Sequence, residues 1–285
     1  MAKIKSGSIR NIVVISDTHC GCRLGLCHPE GIALDDGGWY MPSAVQLKVW
    51  SWWEEFWEDW VPAATKGEPY IVVHNGDAVD GVHHDSTTQI SNNLEDQGDL
   101  AYKILKPVVD KCEGRYYHIR GTEAHVAKSG REEERLAKML GATPTISNDK
   151  RQHARWELWF NMEGDLIHFL HHIGTTSSSA HETSAINAEL SASFAEAARW
   201  GEKRPSVIVR SHRHRSAEVR LPTENGYATG VVSAAWQLKT PFTYKIAGAR
   251  LSPPQMGGLL IRKGDEGIFT KTFVKSIGRG SIVKL

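Results

Sequence analysis

Five short apolar runs set the frame of this chain: IVVIS at 12–16, YIVVH at 70–74, YYHIR at 116–120, LIHFL at 166–170 and VIVR at 207–210. Runs this short, bounded by Gly, Asp and His, read as buried β-strands. Helical patterns lie between them. Ser43 and Gln46 have the spacing of a capping box. After them Val45, Val49, Trp52, Trp53, Phe56, Trp57 and Trp60 recur on one helical face, and Pro62 is expected to stop the helix. Residues 94–109, 131–140 and 180–200 also read as helices, with Pro107 expected to bend or end the first. Residues 155–162 and 166–170 read as a hairpin about Glu163-Gly164-Asp165, and further strands are expected at 229–234, 259–262 and 268–274. Strands that alternate with helices and then dominate the end predict an α/β fold with sheets covered by helices. Neither a repeat nor a linker-like stretch divides the chain, so residues 1–285 are expected to form one domain.

Composition removes several classes. Hydrophobic residues make up 40% and the formal net charge is +1, from 34 basic and 33 acidic side chains. Such a chain has apolar surface to bury and is not disordered. It has no overall electrostatic grip on nucleic acid, although a local basic patch stays open. No run of about 18 apolar residues predicts a membrane span. The polar, basic start lacks the apolar core of a signal peptide, so the cytoplasm is the expected compartment. Cys20, Cys22, Cys27 and Cys112 are then expected to be reduced. Cys20-x-Cys22-x4-Cys27-His28 has some likeness to a zinc knuckle but lacks a paired second half, and small buried thiols are the simpler reading. Six of the ten tryptophans fall between Trp39 and Trp60. Their helical spacing favours a core stripe over a face that stacks nucleobases.

The chemistry sits where the strands end. IVVIS is followed by Asp17-Thr18-His19, and YIVVH by Asn75-Gly76-Asp77 with Asp80 three further on. YYHIR leads to Gly121-Thr122-Glu123-Ala124-His125, LIHFL to His171-His172, and VIVR to Ser211-His212-Arg213-His214. In open α/β sheets the carboxyl edge is where ligands bind. Asp-x-His and His-x-His put two donors on one side of an extended backbone. A mixed Asp/His set suits borderline divalent ions such as Mn²⁺, Fe²⁺, Ni²⁺ or Zn²⁺. Two such ions at close range form the clamp of phosphoryl-transfer sites. Arg120, Arg213 and Arg215 flank these motifs as candidate phosphate binders, and His83 and His84 follow Asp80 as candidate cleft residues.

The motif order D-x-H, G-D-x-x-D, G-x-x-x-H, H-H and H-x-H resembles that of the calcineurin-like metallophosphoesterase superfamily, over about residues 12–214, and in particular its bacterial and phage-type members. The resemblance implies a two-sheet, four-layer α/β sandwich with helices outside and a centre of two divalent metal ions. By motif, Asp17, His19 and His214 resemble ligands of the first ion, and Asp77 the bridging carboxylate. His212 and one of His171 or His172 resemble ligands of the second ion; His171 is favoured because it directly follows the strand. The family usually has Gly-Asn-His at the third strand, where the Asn binds the second ion and the His protonates the leaving group. Here Thr122 stands at the Asn position and His125 is displaced by two residues. His125 is matched to the acid role, and Glu123 is a second candidate ligand or acid. The activity implied is hydrolysis of phosphate esters, diesters before monoesters, by a water held between two ions. Nucleic acid is among the expected substrates, and no membrane partner is expected. The alternative is a catalytically weak metal-binding scaffold.

Overall fold

The computed structural model describes residues 9–83, 86–126, 130–147, 150–174, 178–224, 226–246 and 250–278. In chain order the principal strands are β1 (Asn11–Ile15), β2 (Ile71–Asn75), β3 (Tyr116–Ile119), β4 (Ala154–Arg155), β5 (Leu158–Met162), β6 (Asp165–Phe169), β7 (Val207–Arg210), β8 (Ala217–Thr223), β9 (Gly226–Val232), β10 (Gln255–Gly264) and β11 (Gly267–Ser276). The helices are α1 (Ala44–Glu54), α2 (Leu94–Lys111), α3 (Glu123–Val126), α4 (Arg131–Met139) and α5 (Ser184–Trp200). One sheet has the order β11-β10-β1-β2-β3-β4 and the other β8-β9-β7-β6-β5.

Three apolar interfaces stack these elements into four layers. Ile12, Val14 and Val73 of the first sheet meet Ile167, Phe169, Val207 and Val231 of the second. The opposite face of the first sheet, through Val13, Ile15 and Val72, packs on Trp53, Phe56, Leu100, Ile104 and Leu136 of the helices. The opposite face of the second sheet, through Ile208 and Val232, packs on Ile186 and Leu190 of α5. Alternate residues of β1 thus serve two different interfaces, which is why the strand is apolar at every position. The fold is the expected two-sheet α/β sandwich.

Four local expectations are corrected. Pro62 does not stop the first long helix. After α1 the chain widens into a π turn over Glu55–Trp60, with the Val61 N–H donating to the Phe56 carbonyl, and then continues through Val61–Thr65. Lys66 ends it in the left-handed region at φ 57°. The wide turn carries Phe56 and Trp57 onto the sheet and delivers the chain to Pro62, which has no N–H to place. Pro107 likewise lies inside an unbroken α2, on its exposed side. The expected strand at 155–162 is two strands: Arg155 pairs beside β3, and the chain then crosses to the second sheet as β5. β8, which the sequence reading did not expect, is an edge strand. That position accommodates Pro222, which cannot donate to a ladder.

The tryptophan stripe is core at its centre, with Trp50, Trp52 and Trp60 partly buried against it, whereas Trp39 and Val45, which the stripe included, are exposed. Trp53 and Trp57 are buried, and Trp53 meets Trp57 and Trp236 edge-on at ring-centre distances of 5.6 and 4.9 Å. The capping box is present, with Ser43 and Gln46 satisfying each other's backbone N–H groups. No helix among the described residues is long and apolar enough to cross a membrane.

Candidate metal centre

Parallel pairing aligns the carboxyl ends of the strands that carry the motifs. β1, β2 and β3 run in parallel in the first sheet, and β6 and β7 run in parallel in the second. Side-chain and backbone bonds then tie the two edges together. The Asn75 side-chain amide donates to the Leu170 carbonyl at 3.1 Å and to the Ser211 hydroxyl at 2.7 Å. Within each edge, the Asp17 N–H donates to the Gly76 carbonyl at 2.9 Å, and the Ser211 N–H to the His171 carbonyl at 2.8 Å. Gly76 and Gly121 make the closeness feasible. A Cβ at Gly76 would stand 2.4 Å from His171 Nδ1, and one at Gly121 only 1.9 Å from Asp77 Oδ1.

Four overlapping groups of donor atoms result among the described residues. Asp17, His19 and His214 form one, and Asp77, His171 and His212 another, while Asp77 also groups with His19 and His125, and Asp80 with His83 and His125. In the first group His214 Nε2 lies 3.0 Å from His19 Nε2 and 3.2 Å from Asp17 Oδ1. In the second, His171 Nε2 and His212 Nδ1 lie 3.0 and 4.0 Å from Asp77 Oδ2. Two donors each about 2.1 Å from one ion, at right angles, stand about 3.0 Å apart. Asp17 Oδ1 and His171 Nε2 are buried without a hydrogen-bond partner. Buried polar atoms seldom stay unsatisfied, and donor atoms of a metal site are one way that they do.

Tautomers point the same way. His171 Nδ1 donates to the Asn75 carbonyl at 2.6 Å, so Nε2 is the nitrogen left to face Asp77, where a metal ion would take the place of its proton. His19 Nδ1 meets the Asp80 carboxylate at 3.2 Å, which leaves its Nε2 facing His214. Such outer partners are how metal-binding histidines are oriented.

The electrostatics call for a cation. Asp17, Asp77 and Asp80 are all buried. Burial is the largest single influence and opposes the ionisation of Asp17 and Asp77, but the surrounding histidines together, His171 foremost, outweigh it and hold both carboxyls below the usual range. Asp80 is likewise held low against burial, by its bonds to His19 and His83. Burial disfavours a charge on His171, yet Asp77 and Asp17 push its pKa up to about 10. A buried site that draws a proton this strongly is one whose negative potential a divalent ion would neutralise. The donor set therefore fits the metal that the motif order implied.

The backbone is strained at these positions. Five of the eight described non-glycine residues with positive φ are Asp17 (52°), His19 (42°), Asp77 (55°), His212 (70°) and His214 (53°). Each such residue costs on the order of 1–3 kcal/mol and clusters of them occur at functional sites. The values also correct the extended-backbone argument for Asp-x-His and His-x-His. Donors two apart converge because left-handed turns fold them inward.

The remaining candidates separate. The Thr122 N–H and hydroxyl donate to Asp77 Oδ1 at 2.8 and 3.3 Å, so at the Asn position Thr122 fixes the shared carboxylate. His125 lies in the short α3. Its Nδ1 donates to the Asp80 carbonyl at 2.5 Å, its ring meets those of His19 and His83 edge-on, and burial pulls its pKa down to about 4. Glu123 opens α3, is exposed and joins no donor group; His172 is exposed and its ring stacks on His212 at 4.7 Å. Arg120 is not at the cavity. Its guanidinium bonds Glu134 at 3.0 Å and the Ala154 carbonyl at 3.2 Å and lies over Trp156, so β4 and α4 hold it there. Arg213, Arg215 and His83 line the cavity, whereas His84 lies outside the described residues. The cysteines are buried thiols. Burial pushes Cys20 and Cys27 up to about 12 and Cys22 up to about 11, and no donor group among the described residues contains a cysteine. The zinc-knuckle reading is thereby set aside.

Two residues of the site were missed. Asp80 stood in the G-D-x-x-D motif but was given no role; it accepts from His19, from Gln89 at 2.8 Å and from Gln237 at 3.3 Å. Glu133 looked like one more charge on a charged helix. It is buried and accepts from the Ala78 N–H at 3.0 Å and the Gly121 N–H at 2.6 Å, joining the loops that hold Asp77 and Thr122.

No family model matches the chain, and no curated protein matches it. Solved structures align only loosely. Vps29 from Entamoeba histolytica with zinc is 8% identical over 93% of this chain and 98% of its own, at a TM-score of 0.37. SoxB, a sulfate thiohydrolase from Thermus thermophilus in complex with glycerol, is 8% identical over 97% and 58%, at 0.41. A metallophosphoesterase from Sphaerobacter thermophilus is 10% identical over 94% and 88%, at 0.36. Superpositions this loose carry no functional weight.

Proposed function

We propose that the chain is a metal-dependent phosphoesterase that cleaves diesters in preference to monoesters. The observation that carries the reading is Asp77, a buried carboxylate shared by donor groups drawn from both sheets. Asp17, His19 and His214 would hold one ion, Asp77 would bridge, and His171 and His212 would complete the second. The donor chemistry suits manganese, iron, nickel or zinc. Bound there, the ions supply charge for the phosphate oxygens and an acidified water.

The chain's own groups do the rest. Thr122 and Glu133 fix Asp77 and its loop, and Asp80 sets the tautomer of His19. Arg213 and Arg215 also line the cavity, although the Arg215 guanidinium is paired with the Glu182 carboxylate and Arg213 donates to the Glu182 carbonyl at 2.9 Å, so a phosphate would have to share them with Glu182. His125, with Nδ1 committed to Asp80, keeps Nε2 as its site for exchanging a proton with the leaving group. The cavity, about 360 Å³, leaves room for an organic substituent on the phosphate, which a monoester and a diester both carry.

The test is hydrolysis of bis(4-nitrophenyl) phosphate beside 4-nitrophenyl phosphate. It uses metal-stripped protein to which Mn²⁺, Ni²⁺, Zn²⁺ or Mg²⁺ is restored, with Asp77→Asn as control. Metal-dependent turnover that favours the diester and is lost in Asp77→Asn is the expected result. Absence of turnover with every ion, in a protein that binds two ions tightly, would replace the enzyme with a metal-binding scaffold. The use of Thr122 to buttress Asp77, in place of an amide ligand, is the feature that favours that second reading.

A further inference from the structure

One donor group has no part in the two-ion arrangement. Asp80, His83 and His125 converge at the cavity wall, and His83 belongs to no other donor group among the described residues. Asp80 and His83 come from the loop after β2, and His125 from α3. Gly81, between the first two, lets the segments meet. Its φ is 71°, and a Cβ there would stand 2.5 Å from the His125 carbonyl oxygen and 2.9 Å from its Cα.

The bonding of Asp80 leaves a place for an ion. A carboxylate has about four lone-pair sites. His19 and Gln237 bond to Oδ1, and Gln89 to Oδ2. His83 Nε2 faces the same Oδ2 at 3.7 Å, which is long for a direct hydrogen bond. Two donors each about 2.1 Å from one ion stand about 3.0 Å apart at right angles and about 4.2 Å apart in line, and the observed separation falls between. His125 would contribute Nε2, since its Nδ1 donates to the Asp80 carbonyl. Its ring meets those of His83 and His19 edge-on, at ring-centre distances of 4.3 and 4.5 Å, so one imidazole borders both this group and the two-ion centre. One carboxylate with two imidazoles is a zinc set with positions left open. Its nitrogen-rich make-up favours zinc over manganese. It has one carboxylate where the two-ion centre has Asp17 and Asp77, so it fills last.

We propose that Asp80, His83 and His125 form a third divalent-cation site, of zinc type, beside the two-ion centre, and that its filling switches the enzyme off. An ion there takes His125 Nε2, the atom assigned to exchange a proton with the leaving group. The switch rests on the phosphoesterase reading; the site itself stands on the donor geometry.

The test first counts ions, which needs no turnover. Metal-stripped wild type and His83→Ala are equilibrated with rising free Zn²⁺ and their bound zinc is measured by elemental analysis. Anomalous diffraction at the zinc edge locates the ions in crystals of saturated wild type. Wild type should bind two ions in a tight phase and a third in a weaker one, placed among Asp80, His83 and His125, and His83→Ala should stop at two. A wild type that stops at two, a third ion located elsewhere, or a third ion kept by His83→Ala would overturn the site. Turnover under the same zinc series then tests the switch, with diphenyl phosphate beside bis(4-nitrophenyl) phosphate. Phenolate is the poorer leaving group and needs the acid more. As the third ion enters wild type, diphenyl phosphate hydrolysis should fall by about 100-fold and the nitrophenyl ester by much less; His83→Ala should resist the fall. Equal inhibition of the two esters, or of the two proteins, would overturn the switch. Three ions in a protein without turnover would uphold the site and remove the enzyme, so the two readings fail separately.

Discussion

Replacing Asp80 by Asn probes how the two-ion centre is oriented without touching one of its ligands. The carboxylate is buried and accepts on both oxygens: Oδ1 from His19 Nδ1 at 3.2 Å and Gln237 at 3.3 Å, Oδ2 from Gln89 at 2.8 Å. Asn has nearly the same shape but accepts on one side only. If its amide faces Gln89, donor meets donor. If it faces His19, the imidazole must move its proton to Nε2 and give up the lone pair that faces His214. Either arrangement weakens the group of Asp17, His19 and His214 and leaves that of Asp77, His171 and His212 alone. Removing such an outer partner costs about 10- to 100-fold in metal affinity. Mn²⁺ binding to stripped protein, followed by competition with a chelating dye, should show one weakened site and one changed by less than about threefold. Thermal melts of both stripped proteins control for folding. Equal loss at the two sites, or none at either, would refute the assignment of Asp80 to His19.

Three further outcomes are expected. Gly121→Ala puts a methyl 1.9 Å from Asp77 Oδ1 and 2.4 Å from its backbone nitrogen, so Asp77 must move; metal stoichiometry by elemental analysis should fall from two ions to one or none, and two retained ions would exclude a shared Asp77. Trp53→Ala removes a buried ring packed on Trp57 and Trp236 and should cost about 3–5 kcal/mol in urea unfolding with metal binding preserved; a loss under about 1 kcal/mol would return the stripe to the surface. His168 is drawn down to about 4 by burial, with Arg210 adding to it, and its ring stacks on Trp159. Its folded pKa lies below the unfolded value near 6.5, so the unfolded chain binds more protons between those values. Stability is full above about pH 6.5 and declines as pH falls toward 4. His168→Gln should flatten that decline in melts taken across the window, and an unchanged slope would assign it to other groups.

The parts of this molecule that the sequence made legible are those where one residue type answers to one local rule. Apolar runs became strands, and the Asp and His after them came to one edge because parallel pairing leaves no other place for strand ends. The prolines misled because their rule is local and their outcome is not. Pro62 is tolerated after a π turn whose residues Phe56 and Trp57 are held on the sheet, and Pro107 lies on the wet side of a helix anchored by Leu100, Ile104 and Leu105. Glu133 and Asp80 show a different obstacle. Each is an ordinary acidic residue whose partners, Gly121 and Ala78 for one and His19 and Gln237 for the other, come from loops whose paths no spacing records.

The donors themselves show how pattern and cause can part. D-x-H and H-x-H were informative as patterns, yet the extended-strand geometry invoked for them is absent, since Asp17, His19, His212 and His214 all have positive φ. What the motif records is tolerance of the left-handed region, in which Asp and His are enriched among residues with a side chain. The same residue types are thus selected twice, for their donor atoms and for the turn that brings those atoms together. The strained turns are held by bonds between neighbouring strand ends, Asp17 N–H to Gly76, His19 N–H to Asp77 and Ser211 N–H to His171, and the Asn75 side chain joins the two sheets through Leu170 and Ser211. A substitution that relieved the strain, such as Gly at His212, would keep the turn and lose the donor, while Ala would lose both. Comparing His212→Gly with His212→Ala for metal affinity and melting temperature separates the two selections. A larger loss of affinity in the Ala variant, with higher stability in the Gly variant, is the outcome that this account requires, and equal stability of the two would show that the strain is not borne at that residue.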